Sequence, residues 1–207
     1  MKFRIKNKSK KIFIVYSEDK VWGILPEKIL HFFSLDIEKE VELSKGKSRE
    51  LRKQITIYAW DRLLNFLTYR ERSIWECKMF LDQLYLDPEI SEKLVEKAIS
   101  NNFVNDERFA ELFVESLIAK KKNSTEIKIK LFEKHISGKI INKVLAEKYS
   151  AEIEENILTE NVIKTLSKYS GFSDKEKIEK CLNYLTRRGF SYYEVKEKIN
   201  ELIMSPL

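Results

Sequence analysis

The sequence predicts a mostly α protein built from tandem three-helix repeats, three units in an elongated array, preceded by a small N-terminal extension that contains a β-hairpin. Three observations predict it. Only five Gly and three Pro punctuate 207 residues, while 35% are charged and 43% hydrophobic, a mix typical of helix-rich chains. From about residue 56 the apolar residues recur with a helical period, whereas short β-branched and aromatic runs dominate before it. The chain also repeats itself. "LNFLTYRERSIWECKMFL" (64–81) and "LNYLTRRGFSYYEVKEKI" (182–199) share eight of eighteen positions, and "KKKNSTEIKIKL" is a weaker copy through Lys120, Asn123, Glu126, Lys128 and Leu131.

In chain order, "KKIFIVY" and "KVWGIL" flank the polar "SEDK" and predict the hairpin; "PEKILHFF" starts a helix with Pro26 at a favourable first position, and "LDIEKEVELS" is one further extended or helical element. This extension spans residues 1–55. The first repeat, 56–103, opens on "TIYAWDRLLNFLTYR", which sets Ile57, Trp60, Leu63, Leu64 and Leu67 on one face. Ser73 with Glu76 three residues on forms a capping box for its second helix. Pro88 opens the third, with Ile90, Leu94, Val95, Ala98 and Ile99 on its inner stripe.

"FVNDERFA" (103–110) joins the first repeat to the second, 104–150. Phe103 and Val104 close one helix, Asn105 caps the next, Asp106 and Glu107 favour its N-terminal dipole, and Phe109 begins its buried face. Asn123 and Glu126 repeat the capping box. The third repeat, 151–207, has a long helix, then a helix capped by Ser173 or Asp174, then one capped by Ser191. A single unit of this size is marginal alone, so stacked neighbours are expected to complete its core.

Enzymatic chemistry finds little support. The chain has no Gly-rich phosphate loop, no Gly-x-Ser-x-Gly, and two histidines, His31 and His135, without neighbours that suggest a triad or ligand set. Cys77 and Cys181 sit far apart among apolar residues and are expected as buried thiols in a reducing compartment. No run approaches a membrane span, and the five-residue apolar stretch near the N-terminus is too short for a secretory signal, so a cytoplasmic protein is expected. The aromatic residues Trp60, Trp75, Phe190, Tyr192 and Tyr193 read as core rather than as base-stacking platforms.

The net charge of +6 is unevenly distributed. Residues 1–55 carry 14 basic against 8 acidic groups and residues 108–150 carry 10 against 5, whereas 56–107 and 151–207 are acidic by 4 and 1. Within the basic helical block, Lys120, Lys121 and Lys122 end one helix and Lys128 and Lys130 follow on the next. Arg70 with Arg72, and Arg187 with Arg188, occupy the corresponding corners of the first and third repeats. These nine cations are the predicted partner-binding residues, suited to acidic protein and phosphate. The plainer reading of each cluster is a solvated helix end whose charge complements the C-terminal dipole.

Two of these motifs carry a family resemblance. "FVNDERFA" resembles the Asn-Asp-x-Arg-Phe-Ala signature of the RecX family, bacterial regulators of the RecA recombinase, and "YLTRRGFSYYEVKEKI" is similar to its Arg-Arg-Gly-Phe-Ser element; "RERSIWECKMFL" fits the family's first corner. The resemblance covers about residues 10–203. One departure is "FEKHISGKI", where His135 stands in place of an expected glycine and Gly138, three residues on, is expected to do its work. The resemblance implies a monomeric, non-enzymatic modulator without cofactor that binds RecA filaments and blocks their ATP hydrolysis and strand exchange. The rival reading is a helical-repeat protein that binds DNA directly without sequence preference.

Overall fold

Phe3 and Ile5 alternate with Lys2, Arg4 and Lys6 at the start of the chain, and that two-residue period is a strand with one buried face. In the computed structural model, which describes residues 1–18, 20–37 and 39–204, β1 (Lys2–Ser9), β2 (Ile12–Ser17), β3 (Lys20–Pro26) and β4 (Val41–Glu42) form an antiparallel sheet in the order β3-β2-β1-β4. The hairpin expected around "SEDK" is the β2–β3 pair. Asp19 in its turn, Glu38 in "LDIEKEVELS", and residues 205–207 lie outside the described residues. Sequence reading passed over β1, because two apolar positions among five lysines and an arginine look like a basic leader. The "LDIEKEVELS" stretch supplies the short edge strand β4.

Ten helices follow the first hairpin among the described residues. A short α1 (Glu27–Leu30) runs into one 3-10 turn and starts just after Pro26. The long α2 (Lys45–Leu67) begins eleven residues before the apolar period becomes visible. The Ser44 hydroxyl accepts from the Lys47 amide at 3.4 Å, and the first two turns bury only Ser48 and Leu51. Then come α3 (Ile74–Asp82) and α4 (Pro88–Ser100), α5 (Asp106–Ala119), α6 (Ser124–Phe132) and α7 (Gly138–Lys148), and finally α8 (Ala151–Lys168), α9 (Asp174–Arg187) and α10 (Tyr192–Met204). The expected three sets of three helices are therefore α2–α4, α5–α7 and α8–α10.

The inner face of α2 differs from the expected one. Its buried stripe is Leu51, Ile55, Ala59 and Leu63, and Ile57, about 200° around the helix from Ile55, is 43% exposed. Ile99 is likewise exposed while Leu94, Val95 and Ala98 are buried. Tyr192 and Tyr193, read as core, lie exposed in the first turn of α10, whose buried stripe runs through Val195 and Ile199; Phe190 is buried as expected.

Two compact units emerge, Met1–Asn105 and Asp106–Leu207. In the N-terminal unit, the inner sheet face packs on Leu51 and Ile55. A second cluster joins Ala59 and Leu63 of α2 to α3, α4 and Ile24 of β3. In the C-terminal unit, one core lies among α5–α7 and another among α8–α10, with Ile118 and Tyr149 packed against both. Cys77 and Cys181 are free and buried, each in its own cluster.

The "FVNDERFA" join folds as its residues dictate. The Phe103 and Val104 amides both donate to the Ala98 carbonyl, α5 starts directly after Asn105, and Phe109 is buried. The "HISG" turn is made differently from the expectation. His135 itself adopts φ +57°, the left-handed position where glycine is favoured, and Gly138 sits in the first turn of α7 with open space around it. Tyr85, fifty residues earlier, holds the same conformation at the α3–α4 turn.

Gly23 is the tightest point of the N-terminal unit. Its φ is +146°, and a Cβ there would lie 2.5 Å from Cγ2 of the fully buried Ile55. Gly23→Ala is expected to destabilise this unit by about 2 kcal/mol or more, read as a lowered denaturant midpoint. Gly46→Ala, in open space in the first turn of α2, should leave the midpoint unchanged or slightly raised.

Candidate functional site

The corner motif found in the sequence is a physical device. A helix ends, the chain turns, and a cap residue with a glutamate three residues on restarts it. The Ser73 hydroxyl accepts from the Glu76 amide at 3.2 Å while the Glu76 carboxylate accepts from the Ser73 amide. Asn123 and Glu126 do the same at the start of α6, with Asn123 Oδ1 2.7 Å from the Glu126 amide. The Ser191 corner lies between the second and third helices of its set, whereas the other two lie between the first and second. The sequence match therefore marks a local structure, not a position within the repeat.

Glu126 does more than cap. Its carboxylate accepts from Lys122 Nζ at 2.9 Å and from Arg188 Nη2 at 2.9 Å, and Arg188 Nη1 reaches Asn161 Oδ1 on α8 at 2.8 Å. The Asn161 amide donates to the carbonyls of Lys121 (3.1 Å) and Ile157 (2.8 Å), and Asn123 Nδ2 donates to the Arg188 carbonyl at 2.9 Å. One network thus joins the end of α5, the start of α6, the middle of α8 and the end of α9. The corner after α9 approaches so closely that a Cβ on Gly189 (φ +91°) would stand 3.0 Å from Thr125 Cγ2.

The same network frames a cleft of about 640 Å³. Its walls carry Lys120, Lys121 and Lys122 from the end of α5, Lys164 and Lys168 from α8, and Arg188 from α9, against one carboxylate, Glu160, which pairs with Lys121 at 2.6 Å. Buried Thr165 and Asn161 line it too, and Tyr184 forms a wall with Lys168 Nζ 5.0 Å from its ring centroid. Cations this dense around one cavity hold a positive potential suited to carboxylates or phosphates.

Of the nine predicted cations, four line this cleft: Lys120, Lys121, Lys122 and Arg188. Arg188 is the most committed of them, with a side chain only 23% exposed and bonded into the network. Arg187 points to solvent away from the cleft, Lys128 is exposed and Lys130 half-buried on α6, and none of the three lines it. Arg70 and Arg72 belong to the N-terminal unit. Arg70 is held by Glu76 through bonds of 2.8 and 3.1 Å, and the Arg72 guanidinium lies 4.0 Å from the Phe66 centroid.

Lys164, Lys168 and Tyr184 were missed. Regional charge counting hid the two lysines inside a block acidic by one. Their i, i+4 spacing on one face of "NVIKTLSK" was the available signal.

Burial pushes the Glu126 carboxyl up, but the hydrogen bonds and charges of Arg188 and Lys122 outweigh it and hold the group below the usual carboxylate range. A depressed carboxyl contributes stability that is full above its unfolded pKa and is lost as pH falls through its folded one. Glu126→Gln is therefore expected to cost about 2 kcal/mol at neutral pH. It should also flatten the decline in C-terminal-unit stability below about pH 4.5, as followed by circular dichroism melts across pH.

Among the described residues no helix is long and apolar enough to cross a membrane, and no group of three or more His, Cys, Asp or Glu could hold a metal ion. A family model described as "RecX, second three-helix domain" matches residues 105–145, the span of α5–α6 and most of α7. A regulatory protein RecX from Clostridium acetobutylicum is 32% identical over 151 residues, covering 70% of this chain and 69% of the relative. One from Streptococcus sanguinis is 27% identical over 205 residues, covering 98% of this chain and 77% of the relative. Among solved structures, RecX from Lactobacillus salivarius matches 72% of this chain and 97% of its own with a TM-score of 0.64 and 25% identity. A further crystal structure of regulatory protein RecX covers 94% of this chain with a TM-score of 0.66 at 22% identity, a likeness of fold.

Proposed function

This chain belongs to the RecX family of regulatory proteins, and on that premise we propose that it binds RecA recombinase filaments and inhibits their ATPase and strand-exchange activity, modulating recombinational DNA repair. It acts as a cytoplasmic monomer without enzymatic activity or cofactor. The observation that carries the reading is the cleft of the C-terminal unit, where six cations face one carboxylate. A nucleoprotein filament offers both kinds of anion that such a cleft accepts, protein carboxylates and backbone phosphates.

The network explains how weak individual contacts add up to a site. Lys120, Lys164 and Lys168 are exposed, so each contributes little alone, but the Glu126–Arg188–Asn161 bonds hold their helices and the cations converge without further ordering. Attraction of this kind is screened over a Debye length of about 8 Å at physiological ionic strength, so inhibition should weaken with salt.

A second reading, direct binding of DNA without sequence preference, draws support from Tyr184 beside Lys168, since an aromatic ring among lysines suits an unstacked base. Titration against bare DNA and against recombinase-coated DNA separates the two readings.

Titrating the protein into a RecA ATPase assay should reduce hydrolysis, and the double variant Lys120→Glu with Lys164→Glu should need at least about tenfold more protein for the same effect. Lys128→Glu with Lys130→Glu, on cations outside the cleft, should inhibit nearly as the parent does. Thermal melting of both variants controls for folding. No inhibition by the parent at equimolar protein would overturn the proposed activity. Full inhibition by the cleft variant would remove the cleft from it.

A further inference from the structure

The N-terminal unit carries a second basic surface of different chemistry, independent of the cleft. β3 is an edge strand, paired with β2 on one side only. Two cavities, of about 620 and 570 Å³, border it and share Trp22 and Arg52. The first is walled by Lys20, Val21, Leu86 and Ile90, the second by Lys45, Ser48 and Arg49 of α2. Lys20, Lys45, Arg49 and Arg52 all line them, and the one lining carboxylate, Asp87, is paired with Arg52 at 3.2 Å.

We propose that this groove takes an extended acidic peptide segment of a partner protein by strand addition to β3. An edge strand offers unpaired backbone groups in a row, which a peptide uses and a nucleic acid does not. Successive side chains of an added strand point to opposite faces, so a segment alternating acidic and apolar residues meets both features. Its carboxylates meet Arg49, Arg52 and Lys20, and its apolar side chains meet Val21, Leu86 and Ile90. Trp22 does not serve as a base-stacking platform. Its ring is packed edge-to-face on Phe3 at 4.8 Å between centroids, and the Arg52 guanidinium stands 5.7 Å from it.

The test uses the full chain and a fluorescein-labelled peptide of about ten residues alternating aspartate and valine, followed by anisotropy. The parent protein should bind it, and Arg49→Glu with Arg52→Glu should weaken binding about tenfold, while Lys128→Glu with Lys130→Glu in the C-terminal unit should not. The same peptide N-methylated at alternate residues keeps its charge but loses its strand hydrogen bonds. It should bind the parent about tenfold more weakly, a comparison that needs no altered protein. Equal binding of the N-methylated peptide, equal binding of a lysine–valine peptide, or no binding of the aspartate–valine peptide would overturn the proposal. So would displacement of the labelled peptide from β3 by a thymidine oligonucleotide more readily than by unlabelled peptide, which would assign the groove to nucleic acid.

Discussion

The carboxylate of Glu126 is the constraint on which the C-terminal unit depends. A capping-box glutamate ordinarily satisfies one amide at its own helix start, a local service worth about 1 kcal/mol. Here the same oxygens also receive Lys122 and Arg188, and through Arg188 they reach Asn161 on α8. Removing a carboxylate and a guanidinium partly from water is costly, and a single contact between them would not repay it. Several charge-assisted bonds on the same pair, with Asn161 and the Asn123 amide satisfying further groups, change that balance. The closeness also explains Gly189. Its left-handed backbone turns the corner and leaves room against Thr125 where a side chain would intrude.

The repeated corner thus has two outcomes. In the N-terminal unit, Arg70 folds back on Glu76 of its own corner. Arg188, its counterpart in the 182–199 copy, ignores Glu194 six residues on and bonds instead to Glu126 of an earlier corner. The first arrangement stabilises one turn; the second fastens two three-helix sets to each other within the C-terminal unit. With α5, α8 and α9 fixed at that junction, their lysines face one cavity, so the bond that stabilises the unit also places its cationic site.

Much of this architecture was legible in the sequence because it rests on local rules. Capping boxes at Ser73 and Asn123, Pro88 at a helix start, the Asn105 join and the three sets of three helices follow from residue types at fixed spacing. What escaped depended on partners distant in sequence. β1 became a strand through β2 and β4, its own apolar content being two residues. The start of α2 was hidden because its first turns pack on the sheet through few apolar positions. Among the site residues, Lys120–Lys122 were visible as a run, whereas Lys164, Lys168 and Tyr184 joined them only through the folding of α8 and α9. Nothing in the charge of Arg188 told a structural bond from a binding contact; its distance of 62 residues from Glu126 put that beyond any spacing rule.

The account's central claim is that the Glu126–Arg188 bond builds the inhibitory site, and a double-mutant cycle tests it most directly. Glu126→Gln, Arg188→Gln and the double variant would be compared for concentration of half-inhibition in a recombinase ATPase assay and for stability of the C-terminal unit. The account predicts that the two single variants lose stability and inhibition together, and that the double variant is little worse than either, with a coupling of about 1–3 kcal/mol. Additive losses, or full inhibition by a variant whose bond is broken, would contradict it.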